Sequence, residues 1–425
     1  MIKETSKIIY KLSPHSNMRF LNDRCLLLEK DIVTLSSIIF NIETIFRMGK
    51  KVDNVKIPIS EETASMIDLE AIKNEIERLL NFVINYKVEI EFNLIEDSTK
   101  RKRDKQLVFN QCNNICLFSG GVDSLSGIIN SKENLGRLEG VFISHGDQPR
   151  GVNIVNTLNK KILNPSSIPL HILYAPPMMR HGYSQLRGFL YCLYGAVYVN
   201  LMNAKNLLVT ECGPTMYQAK FSPFDSVTMT THPFVLERTN KIINSLLKRK
   251  VSIITPYENM TKAEVIIASP IQDKFSYTHS CISLGTGRNC GHCYGCIVRR
   301  LGAIVADKID AIYDYDPITE DYKKGDNLIS LLRFSYDVLA KYDNMNFTSK
   351  ENIFVYKKQR LFRRFALDNF AALYILKQKG KKINPYAENL YQSALKQIGE
   401  AKIKERIEQV RSGRFIPNFK KMVIY

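Results

Sequence analysis

Short apolar runs, rich in β-branched residues, alternate with longer stretches of helical spacing through the middle of the chain. NICLFS (114–119), VFISHG (141–146), LHILYA (170–175), NLLVTE (206–211) and VSIITP (251–256) read as strands. Helical patterns lie between and after them, near 124–131, 150–162, 185–203, 234–249 and 261–267. This alternation predicts βαβ units and a mainly parallel, doubly wound α/β sheet. Ligands on such sheets bind outside the carboxyl ends of the strands.

The flanks differ. Residues 1–105 read as an N-terminal α+β domain. IIYKLS and VEIEFNLIE have strand character, and residues 64–86 place Ile67, Ile72, Ile76, Leu79, Leu80 and Val83 on one helical face. The charged run TKRKRDK (99–105) reads as a solvated linker. An α/β domain follows over 106–308. From 309 to 425 the strands disappear, and DNLISLLRFSYDVLAKY and RLFRRFALDNFAALYILKQ predict a helical C-terminal region.

Charge sharpens this division. The chain of 425 residues carries a net +18. Residues 350–425 hold 18 Lys and Arg against 6 Asp and Glu, whereas residues 1–105 hold 18 against 17. A basic C-terminal region suits an anionic or acidic partner, nucleic acid included; a solvated helical surface is the equal alternative. No apolar run reaches the roughly 18 residues of a membrane span. The nearest, Gly188 to Met202, contains Asn200 and reads as a buried helix. The N-terminus has no signal-peptide pattern, so no membrane association and a cytoplasmic location are expected.

The first chemical signal is LFSGGVDSLSG (117–127), a strand that ends in a glycine-rich elbow. Gly120 and Gly121 let backbone approach an anion, and the helix opening near Asp123 or Ser124 points its free N–H groups at it. The Ser119 and Ser124 hydroxyls add donors. Asp123 cannot face phosphate directly and suits the magnesium that accompanies a triphosphate. No GxxxxGK[ST] occurs, which excludes a Walker-type loop.

The second signal is the spacing Cys281-x8-Cys290-x2-Cys293-x2-Cys296. Four thiolates this close suit tetrahedral zinc; the CxxCxxC part alone also suits an iron–sulfur cluster. A closed four-sulfur site has no open position, so a structural role is expected, stapling the segment that carries Arg299 and Arg300. Arg180 and His181 follow a strand end, where substrate contacts or plain loop residues are both expected. Cys212 lies on the same rim and reads as a packed thiol rather than a nucleophile.

The Ser-Gly-Gly-x-Asp-Ser loop resembles the signature of the PP-loop ATP pyrophosphatases, a Rossmann-like fold of the HUP type. With the cysteine spacing and the arginine pair, the chain resembles the 7-cyano-7-deazaguanine synthase (QueC) family over residues 110 to about 305. HGDQPRG (145–151) is similar to a family stretch and matches Gly146 and Gln148. SQLRGFLYCLYGAVY matches an arginine-bearing helix and places Arg187. PYENMTKAEVI (256–266) matches a Thr-Lys-Ala-Glu segment and places Thr261, Lys262 and Glu264. Lys262 and Glu264 also fit a plain surface arrangement.

The resemblance implies ATP-dependent adenylation of a 7-deazaguanine carboxylate, with release of AMP and pyrophosphate. Asp123, Ser124 and Arg187 are its candidate catalytic residues. Ser119 to Ser124 and Gly146 are the candidate ATP contacts. Arg180, His181, Arg187, Glu211 and Lys262 are the candidate substrate contacts. Structural zinc, magnesium and ATP follow as its cofactors. The departures are the two flanking regions and Thr210-Glu211-Cys212-Gly213, which replaces the family's Gly-Asn-x-x-Asp stretch. Enlarged relatives of this family occur in antiviral gene sets such as Qat, where the acceptor is thought to be the N-terminal amine of a partner protein. That resemblance implies a protein-modifying ligase. The alternatives are a synthase of the queuosine or archaeosine precursor, and a nucleic-acid-binding module that senses ATP. Homo-oligomers are common among PP-loop enzymes. Arg360, Phe362, Arg363, Arg364 and Phe365 interleave basic and aromatic residues as the nucleic-acid reading requires, yet helical spacing sets Leu361, Phe362, Phe365 and Leu367 on a buried side.

Overall fold

The computed structural model describes residues 27–96, 111–145, 149–175, 185–217, 221, 229–281, 288–319, 327–345 and 353–420. The expected strand IIYKLS, the charged run 99–105, and Gly146, Gln148, Arg180 and His181 lie outside the described residues.

The chain opens with α1 (Leu27–Arg47), β1 (Asn54–Ser60), α2 (Glu61–Met66), α3 (Leu69–Ile84) and β2 (Glu89–Ile95). Strands β1 and β2 pair in parallel, with Asn54 opposite Glu89 and Ser60 opposite Ile95. The α/β part follows as β3 (Asn114–Leu117), α4 (Val122–Leu135), β4 (Leu138–His145), α5 (Pro149–Leu158), β5 (Leu170–Ala175), α6 (Arg187–Leu201), β6 (Asn206–Leu208), α7 (Gly213–Met216), α8 (Pro233–Leu247), β7 (Ser252–Ile254) and α9 (Lys262–Ile267). All five strands anticipated there are present, each within its predicted run or starting slightly earlier.

The main sheet has the order β5-β4-β3-β6-β7, and every pairing is parallel. The chain moves outward from β3 to β4 and β5. It then returns along α6 and adds β6 and β7 on the opposite side. The reversal opens a crevice between the loops that follow β3 and β6, the place where such sheets take ligands.

Alternation along each strand divides the core into two layers. Ile115, Val141, Leu207 and Ile253 face the layer that holds α6 and α8. Cys116, Phe142, Leu208 and Ile254 face Leu125 and Ile128 of α4 and Val155 of α5. Helices on both faces are the expected cover for parallel strands, which carry apolar residues on both sides. The N-terminal segment joins the first layer. Ile32, Ile39 and Ile42 of α1 share a core with Phe189 and Leu193 of α6, and Ser37 Oγ lies 3.0 Å from the Tyr194 hydroxyl. Arg238 of α8 donates to Glu75 of α3 at 2.8 Å.

Beyond the sheet come α10 (Tyr294–Ala306), α11 (Asn327–Ala340), α12 (Ile353–Lys357), α13 (Gln359–Gln378), α14 (Pro385–Ile398) and α15 (Glu400–Arg411). They share a core of their own, in which Phe362, Phe365 and Phe370 of α13 meet Leu331 of α11 and Ile297 of α10. Leu361, Phe362 and Phe365 of the buried side anticipated for α13 are buried, whereas Leu367 is only half-buried. Among the described residues, no helix is long and apolar enough to cross a membrane.

Candidate active site

The loop between β3 and α4 sits at the crevice. Gly120 turns it with φ +80°, a conformation that L side chains rarely adopt. Gly121 is the N-cap of α4, with φ −82° and no side-chain cap on the helix. The Val122 amide reaches only the Ser280 hydroxyl, at 3.5 Å, so the first turn of this 14-residue helix can still take an outside acceptor. A Cβ at Gly121 would have its nearest protein atoms 3.6–3.7 Å away, ordinary contact. Nothing in the protein itself demands glycine there.

Serine hydroxyls line the turn. Ser119 Oγ donates to Ser124 Oγ at 3.1 Å, and Ser124 Oγ donates to the Gly121 carbonyl at 3.0 Å. The loop is gripped from one side by the segment that leads to the cysteines: the His279 amide donates to the Gly120 carbonyl at 2.9 Å.

Asp123 lies in the first turn of α4 and is buried. Lys262 Nζ donates to its Oδ2 at 2.5 Å and the Cys212 amide to the same oxygen at 3.1 Å. The other oxygen, Oδ1, is buried without a hydrogen-bond partner. Glu211 stands beside it, and the ligand atoms of Asp123, Glu211 and Cys212 all lie within 4.8 Å of one another. Burial and the Asp123 charge push the Glu211 carboxyl up, to about 8, against the pull of Lys262 and Arg187. Burial opposes the charge on Lys262, but Asp123, Cys212 and Glu211 outweigh it and hold the ammonium above the ordinary lysine range. Burial, then Asp123, pushes the Cys212 thiol up to about 12. That fits a packed thiol and not a nucleophile.

The crevice therefore joins Ser119, Gly120, Gly121, Val122, Asp123, Ser124, Glu211 and Lys262. Arg187 begins α6 and acts on Glu211 through its charge. Gly146, Arg180 and His181 are outside the described residues. Of the Thr-Lys-Ala-Glu segment, Lys262 enters the crevice, whereas Thr261 and Glu264 form a capping box at the start of α9.

The cysteines converge behind this segment. Cys290 and Cys296 sulfurs are 3.9 Å apart, Cys281 and Cys293 sulfurs 4.0 Å, and all four lie within 4.8 Å of one another. A tetrahedron with zinc–sulfur arms of about 2.3 Å has edges of about 3.8 Å, so the four thiols can hold one zinc ion. A four-iron cluster, which takes one cysteine at each iron corner of a larger cube, would need the sulfurs farther apart. Two glycines permit the close folding: a Cβ at Gly291 would meet the Tyr315 carbonyl at 1.6 Å, and one at Gly295 the Ser280 carbonyl at 2.4 Å.

Arg299 of α10, fully buried, ties this centre to the crevice. It donates to Asp310 at 2.7 Å, to the Phe275 carbonyl at 2.7 Å and to the Thr278 carbonyl at 3.0 Å. Those carbonyls belong to the segment that runs into His279, whose amide holds the Ser119–Ser124 loop. Its neighbour Arg300 pairs with Asp316 at 3.2 Å.

Residues 224–306 match the sequence profile of the family described as "Queuosine biosynthesis protein QueC". The matched stretch takes in α8, β7, Lys262, the four cysteines and α10, and begins after the Ser119–Ser124 loop. No curated protein matches the chain.

Proposed function

We propose that the protein is a QueC-like, ATP-utilising synthase that activates a carboxylate as its adenylate. The observation that carries this reading is the uncapped α4 N-terminus at the sheet's reversal, with two glycines before it and Asp123 buried just inside. The segment that leads to the QueC-type cysteine centre holds the same loop. In the proposed reaction a carboxylate oxygen of a 7-deazaguanine acid attacks the α-phosphorus of ATP, and the bond to the bridging oxygen breaks to release pyrophosphate. An amine then attacks the acyl carbon and AMP leaves.

The roles follow from position. The α4 amides, with the Ser119 and Ser124 hydroxyls, bind the departing phosphates as hydrogen-bond donors. Asp123 Oδ1 and Glu211 would hold magnesium, which would neutralise the triphosphate. Arg187, at the rim, holds the acid substrate's negative charge. Zinc on the four cysteines would serve structure, because no coordination position is left open.

For the acceptor we favour an amine on a partner protein over ammonia, the finer part of the proposal. It rests on Thr210-Glu211-Cys212-Gly213 standing where the family's ammonia-dependent stretch would be. Nucleic-acid binding along α13 is less favoured. Phe362 and Phe365 are buried, and Arg364 is bonded to Glu264 and to the Asn259 carbonyl.

The test uses Gly121→Ala. The backbone at Gly121 is ordinary and a Cβ there would make only ordinary contacts, so the variant should fold with wild-type stability yet lose ATP binding at least tenfold. Purified protein with ATP, magnesium and 7-carboxy-7-deazaguanine should release AMP and pyrophosphate. Nitrile formed with ammonia would move the assignment to precursor synthesis. Unchanged nucleotide binding in Gly121→Ala would remove the loop from the mechanism.

A further inference from the structure

Four buried or half-buried charges far apart in sequence meet behind Lys262. Arg406 of α15 donates through Nε to Asp368 Oδ1 at 2.7 Å and through Nη2 to Glu264 Oε1 at 2.6 Å. Arg364 of α13 donates to the same Glu264 oxygen at 2.8 Å. Two cations and two carboxylates thus form a neutral group, and Glu264, Asp368 and Arg406 within it are buried. Asp368 also accepts from Thr261 Oγ1 at 2.5 Å. Thr261 is the N-cap of α9, and Lys262 is the first residue of that helix.

The same helices hold the loop that precedes α9. Arg364 Nη2 donates to the Asn259 carbonyl at 2.6 Å, Lys358 Nζ to Asn259 Oδ1 at 3.1 Å, and the Asn418 amide to the Pro256 carbonyl at 2.9 Å. On its far side α9 rests on α10, where a Cβ at Gly302 would come within 3.0 Å of Lys262 Cγ. The start of α9 has little freedom to slide.

We infer that the C-terminal helices form part of the site's framework, with Arg406 and Asp368 as positioning residues that fix where the Lys262 ammonium meets Asp123. Neither touches the crevice; both act through Thr261, Glu264 and the direction of α9. A desolvated ion group of this kind contributes little net stability compared with an apolar replacement. It does hold one geometry, because each bond is short and directional. The inference stands on the Lys262–Asp123 geometry and does not require the nucleotide reading.

The experiment needs no substrate. Wild type and the variants Arg406→Met, Asp368→Asn and Thr261→Val are treated with an amine-acylating reagent, and labelling of Lys262 is followed by peptide mass spectrometry. Thiol labelling of Cys192, buried in the separate core around α6, reports general opening. Thr261→Val removes one hydroxyl at nearly constant volume and keeps all four charges, so it serves if the charge variants do not fold; because it also removes the α9 cap, Thr261→Ser, which restores the hydroxyl, should return protection. The expected result is Lys262 labelling at least tenfold faster in the variants, with Cys192 unchanged and partial protection restored in Arg406→Lys. Wild-type protection of Lys262 in the folded variants, or Lys262 and Cys192 accelerating together, overturns the inference. Failure of ATP binding in a separate assay would leave this result untouched.

Discussion

Replacing Lys262 by methionine tests the centre of the site directly. The variant keeps most of the apolar stem and removes the ammonium that lies 2.5 Å from Asp123. Lys262 is 8% exposed and Asp123 6%. The carboxylate would stay buried with only the Cys212 amide on one oxygen, nothing on the other, and Glu211 alongside. Removing one member of a buried pair costs about 3–5 kcal/mol. The pair Lys56–Glu91 provides a scale. It is 3.3 Å long with side chains 64% and 53% exposed, and such pairs contribute about 0–1 kcal/mol. Lys262→Met should therefore lose several-fold more stability than Lys56→Met in urea unfolding followed by circular dichroism. Because the native-state pKa of Lys262 lies above its unfolded value, its stabilisation is complete below about 10.4. It is lost only as pH rises through the higher native value. The deficit of Lys262→Met should thus be at full size around neutrality and shrink only in strong alkali. A deficit no larger than that of Lys56→Met, or one that vanishes near neutral pH, refutes the reasoning.

Cys293→Ser should abolish the bound zinc, read as metal per chain by mass spectrometry, and lower the melting temperature; a stable, zinc-free, fully folded variant would show that the centre is not structural. Gly127→Ala would put a Cβ 2.3 Å from Thr210 Cβ, wedging α4 off the loop after β6 and costing about 1–3 kcal/mol or more in urea unfolding. Gly136→Ala meets no atom within 4 Å and carries only the strain of its positive φ, so it should cost less. Glu211→Gln imitates the protonated acid. The native pKa of Glu211 lies above the unfolded value, so its stabilising protonated form is lost as pH rises towards about 8. The variant should gain on wild type from pH 5 upward and level off above that value, and an equal gain at every pH would contradict the raised pKa.

Much of the framework was legible in the chain. The five strands of the main sheet were marked by β-branched runs at strand length, and the loop at Ser119 by two adjacent glycines before a helix pattern. The cysteines were legible because ligand spacing is local. Helix α1 was harder to see: it is rich in isoleucine, threonine and serine, poor helix formers, and polar Thr34, Ser36, Ser37 and Asn41 interrupt its apolar face while being buried themselves. Its helical form depends on the α6 and β1 surfaces it covers. Lys262 could be singled out only by resemblance, with a surface role open beside it. What decides its place is a partner 139 residues earlier. Arg406 and Asp368 carried no signal, because charged residues in amphipathic helices normally face water, and only the fold reveals that these two do not.

The distances along the chain have a consequence for biosynthesis. Thr261 bonds a residue 107 positions later, and Arg406 reaches back 142 to Glu264. The ribosome therefore delivers Asp123 about 280 residues ahead of Arg406; at about 5–20 residues per second, that is a wait of roughly 15–60 s. During that interval β3 and its loop can form, but the lysine opposite has no fixed seat. A nascent chain of this protein should then carry the ordered loop well before a locked crevice, and α15 would complete the site.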